Sequence, residues 1–246
     1  MLQLERTRRV LNTFWCKIVN MVKYAEDYGD PSVYYQKYYD VCGGSSNSSL
    51  FFALMHRLIE SKENLFNLND FSKTLEIGAG SGQHFKYVNH SYTIYINSDI
   101  RFPQKDQNFG PGFIQIDAHS TPFKDESLDR VLSTCVLAHM QNPEQALSEW
   151  KRIVKHGGVL NFLVPCEPGL LLRFFRYFST ARKSKKLGYE GYGLCLAREH
   201  INYFLQLDTL ISYIFRNDQI NRKFFPFRFI KSWNLNFFVI YSIKII

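Results

Sequence analysis

Glycines and one acidic residue are concentrated in residues 73–82, Lys-Thr-Leu-Glu-Ile-Gly-Ala-Gly-Ser-Gly. Leu75 to Ile77 are typical of the end of a buried strand, and the glycines predict a tight turn after it. Because glycine has no Cβ, it can take a positive φ and let the backbone lie against a ligand. A helix opening at about Gln83 would direct free N–H groups and its positive dipole end toward that ligand. The pattern therefore predicts a nucleotide-type site.

The spacing of the glycines separates two kinds of nucleotide site. A dinucleotide-binding fingerprint is G-x-G-x-x-G, in which the third glycine allows close packing of helix on strand. Counted from Gly78, that third glycine would stand at position 83, which is Gln83. The chain has G-x-G-x-G instead, preceded by the carboxylate of Glu76. This arrangement favours a ligand with a hydroxylated ribose or a cationic group over a bare pyrophosphate.

Two further acidic residues follow β-rich runs downstream of the glycines. Residues 92–98 form such a run and end at Asp99, 17 residues beyond Gly82. In nucleotide-binding α/β folds an acid at this point binds the ribose hydroxyls. Residues 113–116 form a third short strand, which is followed by Asp117.

These segments together resemble a known family. The sequence E-x-G-x-G-x-G from Glu76 to Gly82 resembles the first motif of the class I S-adenosylmethionine-dependent methyltransferases, of the methyltransferase type 11 kind. Residues 121–129 are similar to the loop before the fourth strand of that family, with Leu128 in place of the usual Phe. Residues 151–164 resemble the turn and fifth strand, with His156 where Pro is common.

The resemblance implies S-adenosylmethionine as methyl donor and S-adenosylhomocysteine as product. The glycine-rich motif would surround the methionine portion, the acid after the second strand the ribose, and the acid after the third strand the adenine amino group. The segment after the fourth strand would pass close to the sulfonium. The cofactor-binding residues predicted in this way are Glu76, Gly78, Ala79, Gly80, Gly82, Asp99, Ile100, Asp117, Ala118, Cys135 and Val136. No metal site is expected, because no recognisable ligand set is present.

Strands that alternate with helical patterns predict an α/β fold. The resemblance implies a Rossmann-like, mostly parallel seven-stranded sheet with the last strand antiparallel and helices on both faces. We expect one domain over residues 1–246. Its parts are an N-terminal helical lid (1–70), a cofactor-binding core (73–164), a substrate-binding insertion (165–200), and a final helix with hairpin strands (201–246). Helices are expected at 4–25, 34–39, 50–62, 142–150 and 201–215, a fourth strand at 130–133, and hairpin strands at 223–229 and 236–245.

Composition limits the cellular setting. A chain of 246 residues with 46% hydrophobic residues can bury a full core. No apolar run reaches the ~18 residues that a membrane-spanning helix needs, and Lys17 and Asn20 interrupt the apolar stretch near the N-terminus, which argues against a signal peptide. Five scattered cysteines without a C-x-x-C pair indicate reduced thiols rather than a disulfide framework or zinc site. We therefore expect a cytoplasmic protein.

Positive charge is concentrated in the second part of the chain. Residues 1–150 hold 14 Lys and Arg against 17 Asp and Glu, whereas residues 151–246 hold 16 against 5. Residues 173–186 contain six basic residues, four aromatic residues and no acid. This segment is either a solvated face or a site for a phosphate, a nucleotide or a lipid head group. Its position between the fifth strand and the next helix favours substrate binding.

Three histidines are candidates for a general base, because imidazole titrates near neutral pH. His200 stands at the start of a helix after the basic segment, His139 follows the fourth strand, and His56 lies on an N-terminal helix. The basic and aromatic residues around the insertion and the N-terminal tyrosines are candidates for substrate contacts. The substrate-binding residues predicted in this way are Arg173, Arg176, Arg198, Tyr203 and Tyr38.

The methyl acceptor is the least defined part of the prediction. Ser133 to Val136 stand where amino-methyltransferases of nucleobases carry [N/D]-P-P-[Y/F], which disfavours a nucleic-acid amine as acceptor. Residues 165–203 resemble methyltransferases of bacterial surface-polysaccharide pathways. That resemblance implies O-methylation of a phosphorylated small molecule, sugar or nucleotide-linked intermediate of capsule or lipopolysaccharide synthesis. An RNA methyltransferase, a peripheral-membrane lipid methyltransferase, an NAD-dependent oxidoreductase and a non-catalytic nucleotide-binding regulator remain alternatives.

Overall fold

The structure is a computed structural model that describes residues 47–101, 112–186 and 192–246. The helices expected at 4–25 and 34–39, and Tyr38, lie outside these residues. The chain divides into two compact units, Met1–Ser48 with Phe175–Glu199, and Ser49–Phe174 with His200–Ile246. The expectation of a single domain remains a prediction.

The second unit is built on a seven-stranded sheet. Its strands are β1 (Lys73–Ile77), β2 (Ile94–Asp99), β3 (Phe113–Gln115), β4 (Leu128–Thr134), β5 (Val154–Pro165), β6 (Gln219–Phe225) and β7 (Phe238–Lys244). The spatial order is β3-β2-β1-β4-β5-β7-β6. Strands β1 to β5 pair in parallel, and β7 pairs antiparallel with both β5 and β6. This is the Rossmann-like class I methyltransferase topology predicted from the sequence. The strand order reverses between β1 and β4, so ligands are expected at the carboxyl ends of these two strands.

Helices cover both faces of the sheet, as predicted. The described helices are α1 (Asn47–Ile59), α2 (Pro143–Ile153), α3 (Leu170–Arg176), α4 (Arg182–Lys186), α5 (Tyr192–Glu199) and α6 (Phe204–Ile214). Helices α2 and α6 pack with β1, β4 and β5 in the main core, where Trp150 and Leu207 are fully buried. On the other face, Met55 and Ile59 of α1 pack against β5 and β7. None of the described helices is long and apolar enough to cross a lipid bilayer.

Helix α2 shows how local sequence sets an element. The side chain of Asn142 accepts a hydrogen bond from the Gln145 N–H at 3.1 Å, and Pro143 occupies the first turn. Both features are typical of a helix start, because the cap satisfies a free N–H and proline has none to lose. Ala146, Leu147, Trp150 and Ile153 are buried on one side. The predicted helix at 142–150 is therefore confirmed, and it extends to Ile153.

The helix expected to open at about Gln83 is not formed. A single 3₁₀ turn, Phe85–Tyr87, stands in its place. Only 11 residues separate Gly82 from the start of β2, and His84 and His90 within them are tied to Glu60 at 2.9 and 3.4 Å. Because these tertiary contacts fix both ends of the connection, a regular helix with its dipole on the glycine loop does not form.

Within the first unit the structure describes residues 47–48, 175–186 and 192–199. A five-residue π-helical turn, Tyr177–Ala181, leads into α4. The Ser179 hydroxyl donates to the Phe175 carbonyl at 2.6 Å. The Arg182 guanidinium lies 4.7 Å from the Phe178 ring centre and 5.8 Å from that of Tyr177, which are cation–π contacts.

Candidate active site

The glycine-rich loop takes a left-handed backbone conformation at all three of its glycines. The φ angles of Gly78, Gly80 and Gly82 are +70°, +55° and +70°. A Cβ added at Gly78 would lie 2.2 Å from Cγ2 of Val136, whereas one added at Gly80 would meet no atom of the described residues within 4 Å. Gly78 is therefore required by packing against the segment after β4. Gly80, in contrast, faces open space where a ligand can approach the backbone.

Asp99 is held in place at the carboxyl end of β2. Its Oδ2 accepts from the Gly80 N–H at 3.0 Å, and its Oδ1 accepts from the Arg101 N–H at 3.0 Å. The Ala79 N–H donates to the Ser98 carbonyl at 2.8 Å, which ties the glycine loop to the same strand. Each carboxylate oxygen can accept a second hydrogen bond, so Asp99 can also bind a vicinal diol. The side chain of Ile100, the next residue, is exposed.

Asp117 and Ala118 follow β3 at the same edge of the sheet. The carboxylate Oδ1 of Asp117 accepts from the His119 N–H at 2.9 Å and lies 2.7 Å from His119 Nδ1. The backbone hydrogen bond from His119, followed by its side-chain hydrogen bond, lowers the pKa of Asp117. Because both contacts fall on Oδ1, Oδ2 can accept from an amino group. The Ala118 carbonyl accepts from Trp150 Nε1 at 3.1 Å, which fixes this turn on α2.

Glu76 lies beneath the glycine loop rather than on its surface. Its side chain is fully buried and accepts a hydrogen bond from the Tyr95 hydroxyl at 2.8 Å. Burial raises the pKa of Glu76 above its ordinary value. The structure thus gives Glu76 a supporting contact under the loop, while its predicted contact with the methionine portion remains a prediction.

A buried polar network occupies the sheet face next to α1. Glu60 is its centre, with Arg130 Nη2 at 2.7 Å, His84 Nε2 at 2.9 Å and His90 Nδ1 at 3.4 Å. Arg130 also donates from Nε to Asn161 Oδ1 at 2.9 Å. Although burial opposes ionisation of Glu60, Arg130 and the two histidines hold the pKa of this carboxyl far below its usual range. The network joins α1, the β1–β2 connection, β4 and β5.

His56, one of the three candidate bases, belongs to this buried network. Its Nδ1 lies 2.9 Å from His84 Nδ1, and its ring stacks on Tyr87 at a centroid distance of 5.3 Å. Burial, together with His84, lowers the pKa of His56 to about 3. The ring is therefore neutral at physiological pH and packed among protein groups.

The segment after β4 carries the backbone from the glycine loop to the histidine pair. Cys135 has a φ of +61°, and Val136 lies against Gly78. The 3₁₀ turn Leu137–His139 follows, with the His139 N–H donating to the Val136 carbonyl at 2.9 Å. His139 is thus one turn away from the residue that packs on the predicted cofactor loop.

His139 and His200 form a pair with a carboxylate behind it. Their ring centres are 4.5 Å apart in an edge-to-face arrangement. The Nδ1 atom of His200 lies 2.7 Å from Oε1 of Glu167, whose side chain is buried. At this separation the carboxylate faces the imidazole as an ion-pair partner. The imidazole is thus backed by a buried carboxylate, and 16% of the His200 side chain remains exposed.

Asn202 connects the segment before α6 to the turn after β4. Its buried side chain donates from Nδ2 to the carbonyls of Leu137 at 2.9 Å and Met140 at 2.5 Å, and its N–H donates to Ala138 at 3.1 Å. The Phe204 N–H donates to the Glu167 carbonyl at 2.9 Å. The start of α6 is therefore fastened to the turn after β4 and to the turn after β5.

The sequence predicted His139 and His200 as separate candidates for a base, and it did not predict a role for Glu167 or Asn202. The only available signal was the position of Glu167 two residues after the end of β5, where a carboxylate comes to the ligand-binding edge of the sheet.

The predicted substrate residues fall in different parts of the structure. Arg173 and Tyr203 belong to the unit that holds the histidine pair, and both are exposed. Arg176 and Arg198 belong to the other compact unit. Their roles in substrate binding remain predictions.

The residues at this edge of the sheet fit S-adenosylmethionine. Open space above Gly80 admits the amino-acid portion, Asp99 offers acceptors for a ribose diol, and exposed Ile100 offers an apolar surface for adenine. Asp117 offers an acceptor for the adenine amino group. The residues at this edge therefore offer hydrogen-bond acceptors to the polar parts of the cofactor and an apolar surface to its adenine ring.

Comparison with known proteins agrees with this geometry. Residues 75–162 match the model of a family described as methyltransferase domain. Two uncharacterized proteins of Methanocaldococcus jannaschii are 26% identical over 129 residues and 27% identical over 133 residues. These matches cover 52% and 54% of this chain. The chain spans 51% and 62% of the length of these relatives.

Solved structures share the fold at low sequence identity. The plantazolicin methyltransferase BpumL, in complex with a monoazolic desmethylPZN analog and SAH, superposes with a TM-score of 0.61 at 11% identity, covering 88% of this chain and 94% of that one. A SAM-dependent methyltransferase from Archaeoglobus fulgidus gives 0.56 at 16% identity, covering 86% and 99%. The chain therefore shares the fold of the class I S-adenosylmethionine-dependent methyltransferases, and its residues 75–162 match a methyltransferase domain.

Proposed function

We propose that the protein transfers a methyl group from S-adenosylmethionine to a hydroxyl or amine acceptor, with His200 as general base and Glu167 as its positioning residue. The observation that carries this proposal is the 2.7 Å contact between His200 Nδ1 and Glu167 Oε1, beside His139 and next to the segment that packs on the cofactor loop. A carboxylate behind an imidazole fixes its tautomer and stabilises the charge that it acquires.

In this reaction the chain's own residues position the turn after β4, border the acceptor and remove its proton. When bound, the cofactor supplies an activated methyl group on a sulfonium, so the protein has to align the acceptor and remove its proton. Val136 and Gly78 fix the turn after β4 against the cofactor loop, and His139 on that turn borders the acceptor position. His200 Nε2 takes the acceptor proton while Glu167 holds the ring.

The acceptor that we propose is a small anionic molecule, as expected from the sequence. Residues 151–246 carry 16 Lys and Arg against 5 Asp and Glu, which favours a phosphorylated sugar or nucleotide-linked intermediate of surface-polysaccharide synthesis. Exposed Arg173, on the helix that follows Glu167 and Gly169, is a candidate to meet its phosphate.

A strain that lacks the gene for this protein supplies the acceptor with which His200 is tested as the general base. Its metabolite extract should accumulate the unmethylated acceptor, seen by mass spectrometry as an ion one CH₂ lighter than the wild-type product. Incubation of that extract with methyl-labelled S-adenosylmethionine and purified protein then measures turnover. His200→Ala should lower kcat by about 10²- to 10⁴-fold, the range of general-base contributions. Glu167→Gln should lower kcat about 10- to 100-fold by removing the charge behind the ring.

Calorimetry and a matched variant separate this role from folding. Both variants should bind S-adenosylhomocysteine as the wild type does, because neither residue lies on the cofactor loop. His156→Ala is the control, since His156 is an exposed histidine at the opposite end of β5. Normal turnover by His200→Ala would refute the base assignment, and binding of NAD instead of S-adenosylhomocysteine would refute the methyltransferase activity.

A further inference from the structure

The loop between β6 and β7, Pro226–Phe237, presents apolar side chains to solvent. Phe229 is 98% exposed, and Phe227, Ile230 and Leu235 are exposed as well. Scattered single apolar residues are ordinary on a protein surface, but four within one short loop are not. This β6–β7 loop belongs to the same compact unit as the histidine pair.

The backbone of the β6–β7 loop is fixed by one buried asparagine. Asn236 Oδ1 accepts from the Phe227 N–H at 2.8 Å, and its Nδ2 donates to the carbonyls of Ile230 and Ser232, both at 2.8 Å. Asn236 itself is fully buried. The exposed side chains are therefore held outward by a specific hydrogen-bond framework, which is the property of a preformed binding element rather than of a frayed loop.

Positive charge surrounds these apolar side chains. A groove of about 350 Å³ beside Phe229 is lined by Asn221, Arg222, Lys223 and Arg228. Arg222 pairs with Asp208, while Lys223 and Arg228 share Glu63, so three cations face two carboxylates. Lys231 adds a further exposed cation. No Asp or Glu occurs between Gln219 and the last residue. The groove can thus accept an anionic group next to the apolar tip.

We propose that the β6–β7 loop docks on an anionic lipid bilayer, with Phe229 and Ile230 entering the interface and the cations of the groove and Lys231 meeting lipid phosphates. Aromatic side chains beside Lys and Arg match the negative surface of such a membrane, to which both apolar burial and charge contribute. Arg222, Lys223, Arg228 and Lys231 face only Asp208 and Glu63 among the described residues, so the surface keeps an excess of positive charge that an anionic bilayer balances.

The loop is connected to the proposed active site. A Cβ on Gly169 would lie 2.4 Å from the Trp233 carbonyl oxygen, so the loop backbone packs directly on this glycine. Gly169 stands two residues after Glu167, the residue behind His200. A bilayer bound at the β6–β7 loop would therefore lie next to the turn that carries Glu167. This goes beyond the proposed function, which assigns no membrane contact to the protein.

Vesicle flotation of the full chain tests the docking. One set of vesicles contains phosphatidylcholine alone, and the other contains phosphatidylglycerol in addition. The wild type should float with the anionic vesicles and lose binding as salt rises. Phe229→Ser should weaken binding about tenfold, because one buried aromatic side chain is lost from the interface. Lys231→Ser should weaken it about fivefold, the contribution of one cation near an anionic surface.

A matched variant and cofactor binding keep the outcomes distinct. Tyr213→Ser is the control, since Tyr213 is an aromatic residue that is 63% exposed on α6, outside the loop. It should bind vesicles as the wild type does. Equal binding to both vesicle types, or wild-type binding by Phe229→Ser, would overturn the proposal. So would concentration-dependent self-association that Phe229→Ser abolishes, because the loop would then be a protein interface. Phe229→Ser should keep S-adenosylhomocysteine binding, so failure here is separate from failure of the methyltransferase activity.

Discussion

Replacing Gly78 by alanine tests whether this glycine is needed for packing rather than for cofactor contact. The new Cβ would lie 2.2 Å from Val136 Cγ2 and 3.2 Å from Cγ1, in a backbone with φ of +70°. The positive φ costs about 1–2 kcal/mol for a residue with a Cβ, and overpacking of a filled site costs about 1–3 kcal/mol more. We therefore expect Gly78→Ala to lower the free energy of unfolding by about 2–5 kcal/mol.

Gly80→Ala is the matched control for this substitution. Its φ of +55° carries a similar backbone cost, but within the part of the chain that the structure describes the new Cβ would meet no atom within 4 Å. Its unfolding free energy should fall by only about 1–2 kcal/mol. Because the Cβ projects into the space assigned to the cofactor, Gly80→Ala should instead weaken S-adenosylhomocysteine binding.

Urea denaturation and calorimetry distinguish the two glycines. Val136→Ala removes both γ carbons that the Gly78→Ala side chain meets. The double variant should therefore regain about 1–3 kcal/mol relative to the sum of the single changes. Equal destabilisation by Gly78→Ala and Gly80→Ala, or the absence of coupling with Val136, would refute the assignment of Gly78 to packing. Wild-type affinity of Gly80→Ala for S-adenosylhomocysteine would refute the placement of the cofactor next to Gly80.

Two further predictions concern the cofactor and the buried network. Asp99→Ala should abolish measurable S-adenosylhomocysteine binding by calorimetry while leaving a cooperative unfolding transition, because the carboxylate offers acceptors for the ribose diol; retained affinity would contradict this role. For His56, burial together with His84 lowers the pKa to about 3 from 6.5, so the unfolded chain binds the proton first as pH falls. Its contribution to stability is full above about pH 6.5 and is lost as pH falls toward about 3, with a slope of at most about 1.4 kcal/mol per unit. His56→Gln should flatten the pH dependence of the unfolding free energy between pH 6.5 and 5, whereas His156→Gln, at an exposed site, should not; the same slope in both variants would contradict the buried neutral ring.

The helices and strands that were predicted correctly depend on signals from residues close together in the chain. Apolar runs predict the buried strands, and Asn142 and Pro143 predict the start of α2. The prediction of a helix at Gln83 was wrong because the contacts that prevent it come from residues distant in the chain. Its residues carry His84 and His90, whose partners Glu60 and Arg130 are remote in sequence, and no local pattern reveals that pairing.

The candidate base shows the same division. His139 and His200 could be named from the sequence because histidine type and position after a strand are local facts. The 4.5 Å distance between their ring centres and the contact of Glu167 with His200 depend on tertiary structure. Asn202 contributes by fastening the segment before α6 to the turn after β4. His56 could be named on the same grounds, yet the fold packs it against Tyr87 and His84.

The sequence by itself determined the fold of the cofactor half and predicted its ligand, because glycine spacing and acids at strand ends are patterns within a few residues that set backbone shape and charge. Only the tertiary structure decided which candidate base lies against Glu167, which glycine is needed for packing, and which loop carries exposed phenylalanines beside cations. Each of these depends on contacts between residues distant in the chain, whose distances are set by how the sheet and its covering helices pack.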